Sequence, residues 1–79
     1  MKVTIALRGT LRKYFEGDAE RVCDVPEGCT CDEALQAAGL NYREIKNFGF
    51  VSVNGKRVMI YDRLQEGDLL KAFSKVSGG

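Results

Sequence analysis

Apolar and polar residues alternate strictly along Lys2-Val3-Thr4-Ile5-Ala6-Leu7-Arg8, which is the period of a half-buried strand. Gly9-Thr10 breaks that run. Leu11, Tyr14 and Phe15 then recur at three- to four-residue spacing before Gly17-Asp18, the pattern of a loop with a helical turn. Glu20 to Val25 reads as a second, shorter strand, ended by Pro26-Glu27-Gly28 because proline cannot donate to a ladder. Thr30-Cys31-Asp32-Glu33 has the spacing of a capping box, with a hydroxyl at the N-cap and a Glu three residues on. Ala34, Leu35 and Ala38 supply a narrow apolar stripe, Ala37 adds helix propensity, and Gly39 suits the residue after a helix end. Asn41 to Glu44 is positioned to cap a further helical turn through Ile45 and Lys46. Phe50–Val53 and Lys56–Ile60 flank Asn54-Gly55, a pair suited to the positive φ angles of a two-residue hairpin. Leu64 is the expected buried anchor of the 62–68 connection, Leu69–Lys75 is the last strand, and residues 76–79 form a flexible tail.

The predicted order is β-β-α-β-β-β, an α+β fold with a mixed four- to five-stranded sheet and one main helix packed on one face. Strand parity points Val3, Ile5, Leu7, Val51, Val53, Leu70 and Ala72 towards the helix. Lys2, Ala6, Arg8, Phe50, Ser52, Lys71, Phe73 and Lys75 then point away. Two phenylalanines among cations suit a protein contact, the rings as anchors and the charges as rim. The plainer reading folds Phe50 or Phe73 against the Leu11–Phe15 loop as minor core.

Composition narrows the chemistry. Seventy-nine residues make a single domain, with little room for an enclosed active site. Twelve Lys and Arg against eleven Asp and Glu give a net charge of +1, which argues against a nucleic-acid binder resting on bulk phosphate attraction. An apolar run long enough for a membrane helix and a basic-then-apolar leader are both missing, so the expectation is a soluble, cytoplasmic protein without a membrane partner. The chain has no His, which removes self-contained Ser–His or Cys–His catalysis and suggests a carrier, adaptor or subunit instead of an enzyme acting alone. Cys23, Cys29 and Cys31 lack a paired C-x-x-C spacing. They read as small buried thiols in a reducing compartment, and no bound metal is expected. Cys31 is the candidate for a reactive thiol, since a helix's first turn lowers a thiol pKa.

The last two residues, Gly78-Gly79, are ordinary as a tail end, but their place beyond the final strand gives them meaning. The strand order, the Asn54-Gly55 hairpin, Leu64-Gln65-Glu66-Gly67-Asp68, the Pro26-Glu27-Gly28-Cys29-Thr30 lead into the helix and the terminal Val76-Ser77-Gly78-Gly79 together resemble the MoaD/ThiS family. These are ubiquitin-like β-grasp sulfur carriers, and the resemblance spans the chain. It implies that an E1-like adenylyltransferase, using ATP and Mg²⁺ that this chain does not itself bind, adenylates the Gly79 carboxylate. A persulfide then displaces AMP and leaves a thiocarboxylate. Gly78 and Gly79 would thread a narrow channel, which the missing Cβ permits. The four residues from Val76 to Gly79 reach at most about 14 Å. The sheet face around Phe73, with Phe50, Ala6, Arg8, Lys71 and Lys75 and with Val76 and Ser77 of the tail, is implied as the surface for these partners. The Arg8–Ala19 excursion is most similar to the small subunit of molybdopterin synthase, whose larger subunit would receive the sulfur. A thiamine carrier feeding thiazole synthase, a ubiquitin-like modifier conjugated to Lys through Gly79, and a non-covalent binding module are the alternatives.

Overall fold

The computed structural model describes residues 1–75. Five strands, β1 (Lys2–Arg8), β2 (Glu20–Asp24), β3 (Phe48–Val53), β4 (Lys56–Val58) and β5 (Leu69–Ser74), form one sheet in the order β2-β1-β5-β3-β4. β1 and β5 run parallel at its centre and the other neighbours are antiparallel, so the fold is the mixed five-stranded sheet and helix expected from the pattern. Helix α1 (Cys31–Ala37) supplies Cys31, Ala34 and Leu35, at i, i+3 and i+4, to a core shared with Val3, Ile5, Leu7, Leu70 and Ala72. A 3₁₀ segment over Gly9–Phe15 adds Leu11 and Phe15 to the same core, and a second 3₁₀ turn spans Tyr42–Glu44.

Local chemistry explains the element ends. Thr30 accepts from the Glu33 backbone N–H while the Glu33 carboxylate accepts from the Thr30 N–H, a complete capping box. The next donors in the helix's first turn are also taken, because Cys31 N donates to the Asp62 carbonyl at 2.9 Å and Asp32 N to the Ile60 carbonyl at 3.0 Å. Leu64 is buried behind this contact, and its N–H donates to the Cys29 carbonyl. Asn54 and Gly55 have φ of 52° and 85°, as the two-residue hairpin demands. Asn54 further accepts from Leu69 N and donates to Asp68, joining the hairpin tip to the start of β5.

The strand limits differ from expectation at four ends. β5 stops at Ser74, one residue short of Lys75, whose N–H turns to the Asn47 carbonyl. β4 stops at Val58, short of Ile60, because the chain turns at Met59–Asp62 to meet the helix start. β3 begins at Phe48, two residues early, through an irregularity around Gly49. A Cβ on Gly49 would lie 2.8 Å from the Phe73 carbonyl oxygen, so the close approach of β3 to β5 excludes a side chain there. β2 ends at Asp24, although Val25 and Met1 still exchange backbone hydrogen bonds beyond it. Ala6 and Ser52 face away from the helix but are buried, against expectation. They lie in one cross-strand row, Glu20–Ala6–Lys71–Ser52–Arg57, where long neighbours overhang small side chains.

Removing the Thr30 hydroxyl uncaps the helix. Thr30→Ala should lower stability by about 1 kcal/mol, read as a reduced urea midpoint at unchanged slope.

Candidate functional site

Two of the cross-strand rows on the sheet face opposite the helix are set by the registers of β1, β5 and β3 together. One is Arg8–Phe73–Phe50; the other is the row that contains Ala6 and Lys71. Phe50 and Phe73 stack with centroids 4.6 Å apart and planes 12° apart, and the Arg57 guanidinium lies 4.6 Å from the Phe50 ring centre. Stacking and a cation over the ring each contribute on the order of 1 kcal/mol, which holds the pair in one orientation. Neither ring joins the core that takes in Leu11 and Phe15, so the minor-core alternative does not describe them. Both are half-buried and remain accessible.

Of the residues expected on this surface, Phe50, Phe73, Arg8 and Lys71 are brought together in adjacent rows, and Lys75 is exposed at the end of β5. Ala6 must be withdrawn as a contact residue, since its side chain is 0% exposed between Glu20 and Lys71. Arg8 is partly spent on the chain itself, donating to the Leu7 and Ala19 carbonyls at 3.3 and 3.5 Å. Val76, Ser77, Gly78 and Gly79 lie outside the described residues. Arg57 is an addition, and its signal was available: a two-residue hairpin turn puts it opposite Ser52, hence on the same face.

The point from which the chain leaves the sheet is held by a polar clasp. Thr10 N donates to Ser74 Oγ at 3.2 Å, Asn47 donates its amide to Thr10 Oγ, and Lys75 N donates to the Asn47 carbonyl at 2.6 Å. Gly9, at φ +67°, leaves room for Ser74; a Cβ there would come within 2.1 Å of its hydroxyl oxygen. Segments before β3 and after β1 thus fix the last residues of β5 on two sides. Their sequence separation hid this group from pattern reading.

Cys31 is not an activated thiol in this setting. Cys31 is fully buried and burial, reinforced by the Asp62 charge, pushes its thiol up to about 11, opposite to the expected lowering. The helix donors that would have stabilised a thiolate are already bonded to the Asp62 and Ile60 carbonyls. Burial also raises Cys29 and Cys23. Among the described residues no group of three potential metal ligands converges, and no helix is long and apolar enough to cross a membrane.

No protein-family model matches the sequence, and no curated protein matches it. Solved structures do. The chain is 26% identical to SAMP1 from Haloferax volcanii, with 100% of each chain covered and a TM-score of 0.79. It is 22% identical to the putative molybdopterin converting factor, subunit 1, from Pyrococcus furiosus, covering 96% of this chain and 99% of that one at a TM-score of 0.73. A chain of the Amycolatopsis orientalis BexX/CysO complex is 23% identical, over 98% of this chain and 99% of that chain, with a TM-score of 0.68. These neighbours bear out the resemblance to the ubiquitin-like β-grasp proteins of the MoaD/ThiS group. They include a converting-factor subunit and a small archaeal modifier protein, and the fold here is theirs.

The thiols give a direct test. At pH 8 iodoacetamide should modify Cys23 in the folded protein while Cys31 reacts only after denaturation, read by peptide mass mapping. Because the Cys31 pKa is higher folded than unfolded, its contribution to stability is complete below about pH 9 and lost as pH rises through about 11. Denaturation midpoints should therefore fall across that window, and less so in Cys31→Ala.

Proposed function

We propose that this chain is a sulfur carrier acting through the carboxylate of Gly79. A carboxylate resists nucleophiles, so an E1-like partner first transfers AMP to it from ATP, with Mg²⁺ and release of pyrophosphate. A persulfide sulfur then attacks the acyl carbon and AMP leaves. Cleavage of the resulting acyl disulfide by a thiol frees the thiocarboxylate. The observation that carries the reading is the launch geometry: the clasp of Thr10, Asn47 and Ser74 holds the end of β5 beside the Phe50–Phe73 pair. A partner seated on the rings and on Arg8, Lys71 and Arg57 would have the residues after Lys75 directed from a fixed point. The similarity to a molybdopterin converting factor subunit favours a larger synthase subunit as recipient, with the sulfur going to a pterin precursor. A thiazole synthase is the other recipient of this kind.

A second reading rests on the highest of these identities, to a protein described as a small archaeal modifier. There Gly79 would form an isopeptide bond with a Lys of a target protein. The two outcomes separate by mass. Protein isolated with its own cell's activating enzymes should carry sulfur in place of one oxygen, located by fragmentation to Gly79. Conjugates of higher mass on denaturing gels, with an unaltered free terminus, would favour the modifier; neither product, after incubation with an E1-like enzyme, ATP and a sulfur donor, would leave a non-covalent binding module.

Phe73→Ala should lower kcat/KM for adenylation by about tenfold or more, the loss expected for an aromatic anchor near an interface centre. The far-ultraviolet spectrum should be unchanged, since the ring stands outside the core.

A further inference from the structure

β3 is longer than the strand beside it. β4 pairs only with Val51, Ser52 and Val53, while β3 starts at Phe48. Among the described residues Phe48, Gly49 and Phe50 therefore have β5 on one side and no strand on the other, because the chain turns away after Val58. The Phe48 N–H is taken by the Ile45 carbonyl at 3.2 Å, which leaves the edge open at Gly49 and Phe50. An unpaired stretch of sheet edge is a template for a further strand.

A groove of about 450 Å³ occupies this position, between the Tyr42–Phe50 segment and residues 57–60. Its floor is apolar, with Ile45, Phe48, Val58 and Ile60, and Met59 stands at its side 66% exposed. Every charged residue along it is a cation: Arg43, Lys46, Arg57 and Lys75. Arg43 is bonded to Asp32, but among the described residues Lys46, Arg57 and Lys75 have no carboxylate within salt-bridge distance. In a chain whose net charge is only +1, four cations around one apolar slot select the sign of what fits there.

We infer that this groove binds an extended, acidic segment of a partner protein, which adds alongside Phe48–Phe50 as a strand continuing the line of β4. Apolar side chains at alternate positions would enter the slot, and carboxylates would meet Lys46, Arg57 and Lys75. The site goes beyond the sulfur-carrier reading and does not depend on Gly79, so it can fail or stand independently of thiolation.

The probe is the capped peptide acetyl-Glu-Asp-Ile-Glu-Phe-Asp-Glu-amide, titrated into the full ¹⁵N-labelled chain. Amide shifts should move at residues 48–51 and 57–60. Lys46→Glu with Arg57→Glu should weaken binding by about tenfold or more, as should raised salt. A peptide N-methylated at alternate residues should not bind, because it keeps the side chains but loses the ladder. Shifts confined to the Phe73 face or to β2, equal binding of a peptide with Lys in place of each acid, or no binding at millimolar peptide would each overturn the inference. So would a groove already filled by this protein, seen as concentration-dependent shifts (a second copy) or as movement at residues 48–51 on removal of residues 76–79 (its own tail).

Discussion

The parallel pairing of β1 with β5 is the constraint on which the rest of the molecule hangs. Thr4 through Arg8 lie opposite Leu69 through Phe73, so the first and last strands form the sheet's centre. Parallel neighbours cannot be joined by a tight turn, and the intervening chain must cross a face of the sheet. Here it carries α1, whose Cys31, Ala34 and Leu35 close over Ile5, Leu7, Leu70 and Ala72. The same register sets Arg8 beside Phe73 and ends β5 next to the Gly9–Phe15 segment, where Thr10 can hold Ser74. Core, docking face and exit point are three results of one alignment.

What could be read from the sequence was local. The alternation of β1, the Asn54-Gly55 turn and the Thr30–Glu33 capping box involve residues a few positions apart, and each formed as expected. Parity placed Phe50 and Phe73 on the free face, but it could not show that Ala6 is overhung by Glu20 and Lys71, which register across two other strands decides. Cys31 illustrates the same limit chemically. A first-turn thiol looks activated until the carbonyls of Ile60 and Asp62, some thirty positions away, occupy the donors and exclude water. The clasp of Thr10, Asn47 and Ser74 was invisible for the same reason.

Charge is distributed with purpose on a nearly neutral chain. Near β2, acids and bases cancel pairwise, Lys2 with Asp24 and Arg21 with Asp18. On the free face and at the β3–β4 end, Arg8, Lys71, Arg57, Lys46 and Lys75 have no such partner among the described residues. The polarity this creates would draw an acidic surface towards one side of the sheet before any contact forms. Stacked rings that are held in place then meet that surface with little side-chain entropy left to lose.

Pairing the first strand in sequence with the last also has a consequence for synthesis. A chain made as far as Asp68 has β1 with only β2 beside it, and lacks Leu70 and Ala72 from its core. Its long-range contacts wait for β5, so folding follows rather than accompanies translation of most of the molecule. Phe73 enters the sheet in that same closing step. A chain that stops before Phe73 therefore never displays the ringed face, and a partner that recognises the face is spared from engaging it.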